Sequence, residues 1–167
     1  MPVKNPKELF VLVLSHARYG TERSAAVYKE LSEVAQNPEI QQALAARALV
    51  SQQNLEKIDE AFKLIGEKPV QVTGRLLDVF VEDFHRELAE IQSPEARRLF
   101  ALAKANQLSH MRTAEYASLV GAADVTGNYG VGVLLESCLA DHLAFHERTK
   151  RFMHAVIESK IAARAAG

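Results

Sequence analysis

Three prolines fix where this chain can begin a helix. Asn5-Pro6-Lys7-Glu8, Asn37-Pro38-Glu39 and Ser93-Pro94-Glu95 repeat one signal. The Asn or Ser side chain accepts from free backbone N–H groups. Proline suits the first helical position because an N–H there has no partner anyway, and the acid that follows meets the positive end of the helix dipole. Gly66, followed by Glu67-Lys68-Pro69, is the matching stop. These marks divide the chain into helices over roughly 6–36, 38–65, 73–91, 94–123 and 130–161. Strand-like alternation is absent.

Apolar spacing supports that division. The second helix carries Leu44, Ala48, Ser51, Leu55, Ile58, Phe62 and Ile65 at steps of three and four. The first carries Leu9 or Phe10, Val13, Ala17, Ser24, Val27 or Tyr28, and Leu31, and the third carries Leu77, Phe80, Phe84, Leu88 and Ile91. Four helices of about 30 residues span about 45 Å each. Short turns join the first to the second and the fourth to the fifth, giving two antiparallel hairpins with 67–93 as a long crossover. The expected fold is therefore all-α: a ferritin-like four-helix bundle whose crossover carries a fifth, shorter helix, in one domain over 1–167.

Composition narrows the function classes. Lys plus Arg number 20 and Asp plus Glu 21, so no net field recruits nucleic acid or an anionic membrane. Arg148, Lys150, Arg151, Lys160 and Arg164 are interrupted by Glu147 and Glu158 and read as a solvated helix end. No apolar run is long enough to span a membrane. Cys138 is the single cysteine, which rules out an internal disulfide, and a cytoplasmic setting is expected. The N-terminal residues lack the apolar core of a signal peptide.

The last helix carries the chemistry. His142 and His146 lie one turn apart in a stripe of Leu135, Cys138, Leu139, Phe145, Thr149, Phe152, Met153 and Val156, with Asp141 beside them. His110 and His142 are equidistant from a turn near residue 126, and Glu22 is level with Gln52 about a turn near Asn37. One layer at mid-depth is thus expected to hold Glu22, the 50–54 segment, His110, Asp141, His142 and His146. Ferritin-like dinuclear sites take a Glu from each of two helices and a Glu-x-x-His pair from each of the others. Here the sole Glu-x-x-His, Glu82 to His85, falls on the crossover, facing away from Phe80, Phe84 and Leu88 and toward solvent.

Several stretches carry a family resemblance: Tyr19-Gly-Thr-Glu22, Asn54 through Gly66-Glu-Lys-Pro69, Ser109-His110 through Tyr116-Ala-Ser-Leu119, and Leu134-Leu-Glu through Asp141. Across nearly its whole length the chain resembles the YciE/YciF-like branch of ferritin-like bacterial stress proteins. The resemblance implies the bundle fold, a homodimer, and metal-centred chemistry in members that keep their ligands. Glu22, His110 and, conservatively, Asp141 stand at family ligand positions. The family's helix-two His and Glu fall on Arg47 and Val50, and its helix-three acids fall on Ser109 and Arg112. In the last helix the second Glu and the Asp become His142 and His146.

Two functional readings follow. In one, the dinuclear centre is degenerate and the protein is a metal-free structural or interaction bundle, in which Arg47 and Arg112 reach the core and neutralise Glu22 and Asp141. Its histidines are then neutral core residues bonded to Ser51, Asn54, Asn106 or Glu22. In the other, His110, His142 and His146 with Glu22 or Asp141 hold a single iron, manganese or zinc ion. A Cys138–Asp141–His142 nucleophile is a third pattern on the same face, against which stands the usual role of cysteine as a small apolar core residue.

Overall fold

The computed structural model describes residues 3–165, in five helices: α1 (Pro6–Ala35), α2 (Pro38–Ile65), α3 (Arg75–Glu90), α4 (Pro94–Val125) and α5 (Tyr129–Ala165). The side chains of Val156, Lys160 and Arg164 lie outside the described residues. No strand occurs among the described residues.

Each start signal works as its chemistry requires. Asn5 accepts from the Glu8 N–H, Asn37 from that of Ile40 and Ser93 from that of Ala96, with proline at the start of each helix. Gly66 ends α2 in the left-handed conformation, φ 68°, where its N–H reaches the Lys63 carbonyl and that of Glu67 the Phe62 carbonyl.

The hairpins α1–α2 and α4–α5 stack with α1 against α4 and α2 against α5. Phe10 of α1 packs in one core cluster with Tyr116 and Ala123 while Leu31 packs in another with Leu102, and Ile58 and Leu44 of α2 divide likewise between Leu135 and Phe145, so both of these cross-hairpin pairs are antiparallel. The order is therefore up, down, down, up. Because α2 and α4 run the same way, the connection between them must travel the length of the bundle. Segment 66–93 does so. The Val70 N–H donates to Ser15 Oγ at 3.0 Å, and the Tyr19 hydroxyl donates to Asp78 at 3.0 Å. The Tyr19 ring also covers Gly74, where any Cβ would overlap it. Leu77, Val81 and Phe84 bury the inner face of α3, and Lys104 pairs with Glu87 at 2.7 Å.

The apolar interior is split in two. One cluster joins Val27, Tyr28, Leu31, Leu44, Phe84, Leu102, Leu108 and Phe145. The other joins Phe10, Leu14, Ile58, Phe62, Tyr116, Leu119, Leu135 and Cys138. Full burial of one such large apolar side chain contributes about 1.5–3 kcal/mol. What separates the clusters is polar.

Candidate functional site

The divide is a layer of buried polar side chains drawn from all four long helices: Thr21 and Ser24 of α1, Arg47, Ser51 and Asn54 of α2, Ser109 and Arg112 of α4, and His142 of α5. Arg47 is 2% exposed and Arg112 3% exposed, an unusual burial for guanidiniums. The two arginines bracket a short column of rings. Arg47 Nη2 lies 2.6 Å from His142 Nδ1 and 2.8 Å from Nε2, and a neutral imidazole offers only one of these as acceptor. The same guanidinium sits 5.4 Å from the Tyr28 ring centroid and 5.5 Å from that of Phe145. His142 in turn lies 4.9 Å from the Tyr116 ring, and Arg112 stands 5.3 Å from the far side of the column at Tyr116.

Arg112 is well held. Its Nη2 donates to the Ala17 carbonyl at 2.8 Å and to Thr21 Oγ1 at 2.6 Å, and its Nη1 pairs with Glu115. Thr21 also bonds the Tyr116 hydroxyl at 2.7 Å. Gly20 makes this possible, because a Cβ there would overlap the Arg112 guanidinium. Local chain chemistry and the layer are thus linked: a residue without a side chain in α1 admits the arginine of α4.

Electrostatics make the layer cationic and inert to protons. Burial, followed by Arg47 and Arg112, pushes His142 from 6.5 down to about 2, so it is a neutral imidazole. Burial raises the Tyr116 hydroxyl to about 12 and the Cys138 thiol to about 11. A thiol so raised is the opposite of an activated nucleophile. Cys138 is a core residue.

The expected site residues fall elsewhere. Glu22 is 62% exposed by side chain and lies 3.6 Å from Arg18. Asp141 pairs with Lys57 at 3.1 Å on the α2–α5 surface. His110 is exposed and His146 half-buried; their rings meet edge to face at 4.1 Å between centroids, and His146 bonds Asn106 at 3.0 Å. Only His142 enters the layer. Arg47 and Arg112 do reach the core, but the carboxylates expected beside them are held by Arg18 and Lys57 instead. Glu82 and His85 are exposed, and His85 bonds Glu30 of α1 at 2.7 Å.

Depth was therefore readable, and direction was not. Thr21 and Ser109 occupy the layer where Glu22 and His110 were expected, one residue away on each helix. A step of one residue turns the side chain by about 100°. Strict spacing carries the missing signal: Ala17, Thr21, Ser24, Tyr28 in α1 and Ala105, Ser109, Arg112, Tyr116 in α4 are the buried rows. In α2 the buried row is Leu44, Arg47, Ser51, Asn54, Ile58, with Ala48 and Leu55 at its edge.

The layer does not fit a carboxylate-bridged metal pair. Two guanidiniums stand in it, its histidine faces one of them, and the nearby acids are engaged outside. Among the described residues no three His, Cys, Asp or Glu side chains converge as metal ligands would.

The fold is that of known proteins. It matches the Escherichia coli stress protein YciF with a TM-score of 0.88 at 18% identity, over 93% of this chain and 99% of that one. YcfI of Rhodopseudomonas palustris, a protein provisionally given a structural role, matches with a TM-score of 0.85 at 21% identity, over 89% and 94% of the two chains. A protein from Xanthomonas campestris matches with a TM-score of 0.74 at 18% identity, over 96% and 99%. These likenesses show a YciF-like, ferritin-like bundle. No curated protein matches the sequence significantly. The profile of the domain of unknown function DUF892 matches residues 5–166, and the chain belongs to that family.

Proposed function

We propose that this protein is a metal-free, stress-associated ferritin-like bundle that works as a structural or interaction module, as a cytoplasmic homodimer. One observation carries the reading. A guanidinium, Arg47, lies against a neutral buried histidine at 2.6 Å, in the layer where such folds build metal centres. Arg47 and Arg112 supply positive charge there permanently, since arginine does not lose its proton in proteins. A divalent ion placed between them would be repelled by both. The names of the structural neighbours, a stress protein and a protein provisionally called structural, support the same direction.

A second reading has one observation in its favour. The edge-to-face pair of His110 and His146 is a pair of imidazoles near the surface, and such a pair can start a mononuclear iron, manganese or zinc site. It would need further ligands from solvent or from another chain.

Chelation separates the two. On the metal-free reading the melting temperature is the same with and without EDTA, and adding iron, manganese or zinc leaves it unmoved. A fall on chelation that added metal restores, and that His146→Ala abolishes, would favour the second.

A further inference from the structure

Arg47 enters the layer with five N–H donors and uses one of them, on His142. Its Nε and Nη1 are buried and make no hydrogen bond among the described residues, and neither does either amide atom of Asn54. No carboxylate among the described residues pairs with it: Lys57 holds Asp141 and Arg112 holds Glu115. With His142 neutral, the layer sets two guanidiniums against one carboxylate. A buried, uncompensated charge is costly beside the small net stability of a domain, and a native fold pairs it.

A groove runs beside this charge. Arg47 lines a groove of about 210 Å³ between α2 and α5. Ala43, Ala46 and Ala144 keep the groove open by their small size, and Arg148 stands in it as a second cation. The acid on the same groove, Asp141, is already neutralised. A groove with two arginines on mostly apolar walls selects a compact anion, and it disfavours one that must bury hydroxyls.

We propose that the α2–α5 groove binds a small monovalent anion, a halide or a short carboxylate, against the Arg47 guanidinium with Arg148 at the rim. The inference rests on the metal-free reading of the layer. It goes beyond that reading by giving the layer a ligand.

The test is thermal unfolding of the full chain in chloride, acetate or gluconate at one ionic strength and pH, with EDTA present throughout. Anion at about ten times its Kd raises the melting temperature by roughly 3–5 °C over gluconate. Arg47→Met removes the difference between anions, and Arg148→Met reduces it. A rise in chloride alone identifies a halide site, and a rise in acetate alone a carboxylate site. Equal melting temperatures in all three salts, or an undiminished rise in Arg47→Met, would overturn the proposal. Should Arg47→Met fail to fold, crystals of the unaltered protein grown in bromide and, separately, in acetate decide. Bromide anomalous scattering or acetate density beside the Arg47 guanidinium upholds the site, and the absence of both from the groove overturns it. Because chelator is present, metal found in unchelated protein counts against the functional reading and is scored separately from the anion response.

Discussion

His142 is held neutral by burial first and by Arg47 and Arg112 second, and this gives stability a direction in pH. In the unfolded chain the group has its ordinary value of 6.5; in the fold it lies near 2. Above pH 6.5 neither form carries the proton, so the group contributes nothing to the pH dependence. Between the two values the unfolded chain binds a proton that the native chain refuses, so stability falls as pH falls. At pH 5 the loss relative to pH 8 is about 2 kcal/mol from this residue alone. His142→Gln keeps a polar partner for Arg47 and removes the titration. Urea unfolding at both pH values should therefore show a smaller acid loss in the variant than in the parent. Equal losses would mean that other groups carry the acid sensitivity. The same residue was legible in the sequence as a buried titratable group, because its place in the apolar stripe of α5 fixed its direction. Its neighbour across the layer is marked in the sequence by the family position it occupies, not by its residue type. Arg47 reads as a surface residue by type, and its spacing from Leu44 and Ser51 shows that it points inward.

At the scale of elements, the helix starts are written locally and the helix ends only partly. Asn5, Asn37 and Ser93 each cap the helix they precede, which is why the proline signals locate three of the five starts. α3 begins at Gly74 without a side-chain cap, and its position comes instead from Tyr19, Asp78 and the buried Leu77 and Phe84. The two long helices of the first hairpin both end in the left-handed region, α2 at Gly66 with φ 68° and α1 at Gln36 with φ 47°. Only one of these has the residue that its backbone favours. An L residue in this conformation costs about 1–2 kcal/mol. Gln36→Gly should accordingly raise stability, by about 0.5–1 kcal/mol once the extra freedom of glycine in the unfolded chain is subtracted. Gly66→Ala should lower it by about 1–2 kcal/mol. Chemical unfolding of the two single variants checks both signs. A loss in Gln36→Gly would show that the glutamine side chain holds the turn in a way its backbone angles do not reveal.

The whole molecule is two apolar clusters joined across a cationic layer. A bundle with this up-down-down-up order brings four helices to one depth at its middle, and the identity of the residues there decides its chemistry. The fold followed from helix lengths and turns, which are local. The depth of the layer followed from symmetric distances about each turn. What could not be read was which of two adjacent residues faces inward, because that depends on how each helix is rotated against three others. So Glu22 and His110 yield to Thr21 and Ser109, and the acids lie outside the layer. Spacing at steps of three and four contains the rotation, but Arg47 and Arg112 in the buried rows look like interruptions until their partners are known. The central claim is that guanidiniums stand in place of metal in this layer. Elemental mass spectrometry tests it most directly, on protein made without a histidine tag in medium supplied with iron, manganese and zinc. The account predicts folded protein with no stoichiometric metal. Near one or two equivalents per chain, lost on substitution of His142 by Ala, would contradict it.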